Sequence, residues 1–167
     1  QATFNRMASL QPQSPLPYLR LASDHLSQGD RGMAGENLRK ALELQPGLLQ
    51  AQQGLVALAM ADKKPAEALV QTRNMQKQQP KAVAGYMLEG DVHAVAKAWD
   101  KAAQAYRAGL KEIPDSVDLA VRLHSALLSM GAKADAARWS AEWMRTHPKN
   151  AAFPFYLGDR ALASTDL

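Results

Sequence analysis

Among the side chains able to move protons or hold a metal near neutral pH, four histidines come first: His25, His93, His124 and His147. Two periods of an internal repeat separate His25 from His93. With helix spacings of about 10 Å they would lie roughly 20 Å apart, too far to share an ion. They read as packed, hydrogen-bonded histidines, and His124 and His147 as solitary ones. The carboxylates Asp115 and Asp118 fall at a helix start, where capping and the helix dipole explain them. Gly29, Gly32 and Gly35 recur every third residue, but across a helix-turn-helix rather than between a strand and a helix, so they make no phosphate cradle. No G-x-S-x-G, H-E-x-x-H or P-loop is present. The absence of cysteine removes thiol nucleophiles, disulfides and thiolate metal sites together. No catalytic, cofactor-binding or metal-ligating residue is assigned, and the sequence reads as that of a non-enzyme.

The elements carrying these residues are set by a period. Pro12, Pro46, Pro80, Pro114 and Pro148 are each 34 residues apart. Ala34, Ala68, Ala102 and Ala136 stand twelve residues before the last four of them. Apolar residues are 47% of the 167, yet aromatics only 6%, so burial must come from closely packed Ala, Leu, Val and Met. The alanine register predicts the small contact positions at which paired helices cross. No apolar run reaches the roughly 20 residues of a membrane span.

Each period reads as two helices. Ser14 is expected to cap the first, with Pro15 at its first helical position. Gly29 stops that helix and Asp30 opens the next, which Pro46 ends because the residue before a proline avoids helical geometry. Pro65 and Gly131 punctuate later units in the same way, and spacers of four to seven residues suit helix hairpins. Four units result, 15–48, 49–82, 83–116 and 117–150, within a single array over 1–167. Residues 1–14 read as the second half of a preceding unit and 151–167 as the first helix of a following one. The chain, starting at Gln1 without a signal segment, is expected to be a piece of something longer.

This pattern resembles the tetratricopeptide repeat (TPR), W-x2-L-G-x2-Y then A-x3-F then P. The first unit carries it as Tyr18, Leu21, Ala22, His25, Ala34, Leu38 and Pro46, and the third as Tyr86, Gly90, Ala102, Tyr106 and Pro114. Gln52, Thr72, Ala120 and Ser140 depart from it, with Trp139 and Trp143 expected to compensate by packing a turn away. The resemblance implies an all-α, right-handed superhelical solenoid of antiparallel helix hairpins, about ten helices in all. Leu88-Glu89-Gly90-Asp91, Trp99 and the stretch Trp143-Met144-Arg145-Thr146-His147-Pro148 are similar to the TPR lipoproteins of bacterial PEP-CTERM/exosortase exopolysaccharide systems. That likeness implies an exported envelope protein on the periplasmic side.

In such arrays the first helices line the concave face. The stripe beside their packing face is Leu19, Ser23 and Leu26, then Gln53, Ala57 and Met60, then Met87, Asp91 and Ala94. It continues as Val121, Ser125 and Leu128, and as Phe155, Asp159 and Leu162. None is basic, whereas Arg39, Lys40, Arg73, Lys77, Lys101, Arg107, Lys111, Arg138 and Arg145 belong to second helices. The net charge of +4 is compatible with anionic partners, but its placement on the outer helices predicts no nucleic-acid track along the stripe. The stripe, part aliphatic and part neutral polar, suits a peptide or protein segment. It also lacks the Lys/Asn/Arg set of TPRs that clamp a C-terminal carboxylate. The expected function is a non-catalytic interaction scaffold. A structural spacer or a direct polysaccharide-binding module is the alternative, and end-to-end self-association through exposed repeat faces is a further expectation.

Overall fold

The computed structural model describes residues 2–165, and all regular structure among them is helical. Ten helices follow in chain order: α1 (Ala2–Leu10), α2 (Leu16–Ser27), α3 (Arg31–Leu44), α4 (Leu49–Ala61), α5 (Pro65–Gln78), α6 (Val83–Val95), α7 (Trp99–Glu112), α8 (Val117–Ser129), α9 (Lys133–Thr146) and α10 (Ala152–Thr165). The chain divides into two compact units, Gln1–Pro80 and Lys81–Leu167. The first holds α1 to α5 and the second α6 to α10.

Within each hairpin the two helices are joined by three residues, shorter than the spacing pattern suggests. The central turn residue is left-handed in all four: Gly29 (φ 77°), Lys63 (φ 58°), Lys97 (φ 55°) and Gly131 (φ 76°). The next amide in each case donates to the carbonyl five residues earlier. These bonds are Asp30 to His25 (2.9 Å), Lys64 to Ala59 (2.8 Å), Ala98 to His93 (3.0 Å) and Ala132 to Leu127 (3.0 Å). This closure satisfies helix-end carbonyls and makes the turn tight. The second helices end where the prolines dictate: Gln45, Gln79, Ile113 and His147, each just before a proline, have φ between −125° and −140°.

Helix starts follow the pattern less closely. Asp30 caps α3, accepting from the Met33 amide at 3.0 Å. Ser14, however, does not cap α2. Pro15 is the cap residue, without a side-chain bond, and the Leu19 amide reaches the Pro15 carbonyl at 3.1 Å. Pro15 and Pro17 have no N–H, so the first turn has fewer donors for a serine to satisfy. At α8 the cap is Ser116, which accepts from the Leu119 amide at 3.4 Å, while Asp118 lies in the first turn.

In the first unit, Leu38 and Ala41 of α3 pack with Leu55 and Leu58 of α4 and with Leu19 and Ala22 of α2. Gln52, at a place where a large apolar residue was expected, is buried because its amide donates to the Pro46 carbonyl at 3.0 Å and to Gln78 at 2.6 Å. In the second unit, one core joins Tyr86, Ala102, Tyr106, Leu119 and Leu123. Another joins Ala120, Trp143 and Phe153, with Trp139 and Tyr156 packed against it. Ala34, Ala68, Ala102 and Ala136 are all buried, whereas Pro46, Pro80, Pro114 and Pro148 all lie outside the core.

Candidate functional site

The residues of the expected binding stripe do not share one environment. Leu19 is corrected: at 7% exposure it belongs to the first unit's core, because α2 turns it toward α3 and α4 instead of solvent. Ser23 and Gln53 are exposed, Leu26 is 44% exposed, and Met60 is half-buried. In the second unit Met87 and Leu128 pack against the core of Tyr86 and Leu123. Phe155 stands 71% exposed on α10. Asp91, Val121 and Ser125 come together, in a cavity of about 520 Å³ walled by α6, α7 and α8.

The cavity is built around Asp91. Its Oδ1 accepts from the Tyr106 hydroxyl at 2.8 Å and from Arg122 Nη1 at 2.5 Å, so one carboxylate ties all three helices. Burial, followed by the hydrogen bond to Asp91 and the charge of that carboxylate, raises the Tyr106 phenol well above its ordinary range. It therefore remains a donor. Ala94, Val121 and Ala126 supply apolar wall, Trp99 an indole, and Asp118, Ser125 and Ser129 polar groups. The cavity thus presents an internally paired carboxylate, a protonated phenol and apolar walls. Tyr106, Trp99 and Arg122 were not singled out as site residues from the sequence.

Two of the histidines have local hydrogen-bond and ring partners. His124 Nδ1 lies 3.0 Å from the Tyr156 hydroxyl, which is also 2.8 Å from Ser125 Oγ, so α10 is held to α8 by a polar contact beneath the cavity wall. His147 lies parallel to Trp143 with ring centres 3.8 Å apart, and its Nε2 is 3.2 Å from Asp115. His25 sits 3.6 Å from Asp30. Among the described residues no group of three or more His, Asp or Glu is placed to hold a metal. No described helix is long and apolar enough to cross a membrane.

Burial, then the charge of Arg160, lowers the pKa of His124 below the ordinary imidazole value of 6.5. The unfolded chain thus binds more protons than the folded one between the folded pKa and 6.5. Stability contributed by neutral His124 is complete above that window and is lost as pH falls through it. Urea denaturation at a series of pH values should show this slope, and His124→Asn should flatten it. An unchanged slope in the variant would assign the dependence elsewhere.

Comparison with protein-family models and with curated protein sequences gives no match. Solved structures do match. MamA residues 41-end from Desulfovibrio magneticus RS-1 aligns at 17% identity and TM-score 0.65, covering 89% of this chain and 84% of that one. TTC0263, a thermophilic TPR protein in Thermus thermophilus, aligns at 22% identity and TM-score 0.64, covering 95% and 87%. The first TPR of Spaghetti (RPAP3), bound to the HSP90 peptide SRMEEVD, aligns at 15% identity and TM-score 0.57, covering 71% and 97%. With its all-helical hairpins and these neighbours, the chain has the fold of TPR proteins.

Proposed function

We propose that this chain is a non-catalytic protein-interaction scaffold, with repeats at 15–48, 49–82, 83–116 and 117–150, that holds a peptide or protein segment on its first helices. The observation carrying this reading is the open α6–α8 cavity, where Asp91, Val121 and Ser125 of the sequence-derived stripe line an apolar wall with hydrogen-bonding groups at its base. The peptide-bound TPR neighbour lends support, since an array of similar fold takes a peptide as its ligand. A place in a bacterial envelope or exopolysaccharide export assembly is supported by the likeness of Leu88-Glu89-Gly90-Asp91 and Trp143 to Pro148 to the lipoproteins named above. Fractionation of the source cells would test that location.

The cavity itself is tested by filling it. Ala94→Arg with Ser129→Arg places two long side chains across the opening from α6 and α8. Proteins retained from the organism's own lysate, and photo-crosslinked through a benzoylphenylalanine in place of Ser129, should lose at least about tenfold in affinity with the filled variant. Unchanged retention, with helicity preserved by circular dichroism, would sink the proposal.

A further inference from the structure

The second unit has another concavity, of about 380 Å³, between α7 and α9. Its residues come from α7 and α9 and, as Pro114 and His147, from the chain just past their C-terminal ends, and none of them lines the α6–α8 cavity. Leu110 and Pro114 form one wall, and Trp139 with Trp143 the other. The polar groups around this apolar floor differ in what they are free to do. Glu142 is held by Arg145 through bonds of 3.0 and 2.6 Å, the first cause of its lowered pKa. Thr146 Oγ1 donates to the Glu142 carbonyl at 2.9 Å, and His147 is engaged with Trp143 and Asp115. Arg107 and Lys111 are exposed and make no ion pair or side-chain hydrogen bond among the described residues. Four residues apart on α7, they stand one turn from each other on the same side of the helix.

An apolar slot edged by two uncommitted cations, with its one carboxylate already neutralised, is complementary to an anionic ligand that also carries a large apolar group. We infer that the α7–α9 groove docks an acidic protein segment. A Leu, Phe or Trp side chain would seat between Leu110 and Trp139, and flanking carboxylates would meet Arg107 and Lys111. A peptide fits better than an anionic polysaccharide, because the floor of Leu110, Pro114, Trp139 and Trp143 would desolvate sugar hydroxyls without offering them hydrogen-bond partners. It fits better than a lipid surface, because the apolar atoms are recessed between helices instead of protruding from them. This site stands independently of the α6–α8 reading, so either can fail without the other.

The test is selection of a displayed random dodecapeptide library on the whole chain, with excess soluble Arg107→Glu/Lys111→Glu variant as competitor. The two side chains are exposed, so the variant should keep its helicity and melting temperature. Recovered peptides are expected to combine Asp or Glu with Leu, Phe or Trp. A fluorescein-labelled member should lose about tenfold or more in affinity on charge reversal, measured by anisotropy. Arg107→Gln/Lys111→Gln, which adds no negative charge, should lose less in the same direction, and native binding should weaken as salt rises. The assignment is overturned if recovered peptides lack acidic enrichment, or if affinity ignores both variants. It is also overturned if alginate or phosphatidylglycerol vesicles bind in an Arg107- and Lys111-dependent way while no acidic peptide does.

Discussion

Truncating Phe153 to alanine should cost the second unit about 3–5 kcal/mol and release α10 from its seat, the largest effect expected of any single side chain here. Phe153 is 0% exposed, and its ring lies 5.8 Å from Trp143, 5.8 Å from Tyr156 and 6.1 Å from His124, measured between ring centres. Its neighbours are rigid aromatic groups on α8, α9 and α10, so the cavity left by the missing ring would collapse little. Asn150 fixes the entry to the helix by accepting from the amides of Ala152 and Phe153, each at 3.1 Å. That cap positions the ring without contributing enough to hold α10 alone. The loss should therefore show as faster amide exchange throughout α10 and a red shift of Trp143 emission, accompanied by loss of the Tyr156 contact to His124 and Ser125. Phe155→Ala, two residues along on the exposed side of the same helix, should stay within about 0.5 kcal/mol of the native chain. Equal losses in the two variants would refute the assignment of Phe153 as the anchor.

The core around Phe153 also shows where sequence reasoning succeeds and where it stops. Pro46, Pro80, Pro114 and Pro148 locate the ends of α3, α5, α7 and α9 because a proline restricts its predecessor whatever the tertiary context. Trp139 and Trp143 were expected to compensate for a small residue in the fourth unit, and they pack with Phe153 around Ala120. By contrast, two of the four left-handed turn residues, Lys63 and Lys97, carry no local signal, since lysine has no preference for that conformation. Only their position, 34 residues from Gly29 and from Gly131 respectively, marks them. Leu19 was placed in the stripe by helical spacing alone, and that spacing cannot tell one edge of a broad apolar face from its centre.

The α6–α8 cavity was half legible. Asp91 and Ser125 were found from the stripe, but their partners were not, because contacts between adjacent repeats depend on stacking register. The structure shows a simple rule: Asp91 bonds Arg122 and Ser125 bonds Tyr156, each 31 residues on. That offset is the 34-residue period less about one helical turn, as expected when a side chain of one first helix meets the preceding turn of its neighbour. Pairing complementary residues at this separation would have found both contacts.

Replacing Gly90 by alanine should destabilise the second unit by about 2 kcal/mol, against the normal direction for a glycine inside a helix. In an unconstrained helix the same change stabilises by up to about 1 kcal/mol through backbone entropy. Gly158, on α10, has nothing within 4 Å of where a Cβ would stand, so Gly158→Ala should gain a few tenths to about 1 kcal/mol. At Gly90 a Cβ would lie 2.0 Å from Tyr106 Cε1 and 2.4 Å from Cζ. Tyr106 cannot yield cheaply, because it is only 3% exposed and its hydroxyl is bonded to Asp91. Overpacking must then push α6 and α7 apart or break that bond, and either outcome outweighs the propensity gain. Urea denaturation of the two variants should give shifts of opposite sign. The double variant Gly90→Ala/Tyr106→Val, which removes the ring, should recover part of the loss from Gly90→Ala relative to Tyr106→Val alone. If Gly90→Ala instead stabilises like Gly158→Ala, the close approach of α6 to the Tyr106 ring is wrong. The bond that anchors Asp91 at the base of the cavity would then need another explanation, because the small residue at position 90 is what lets the phenol reach across α6 to that carboxylate.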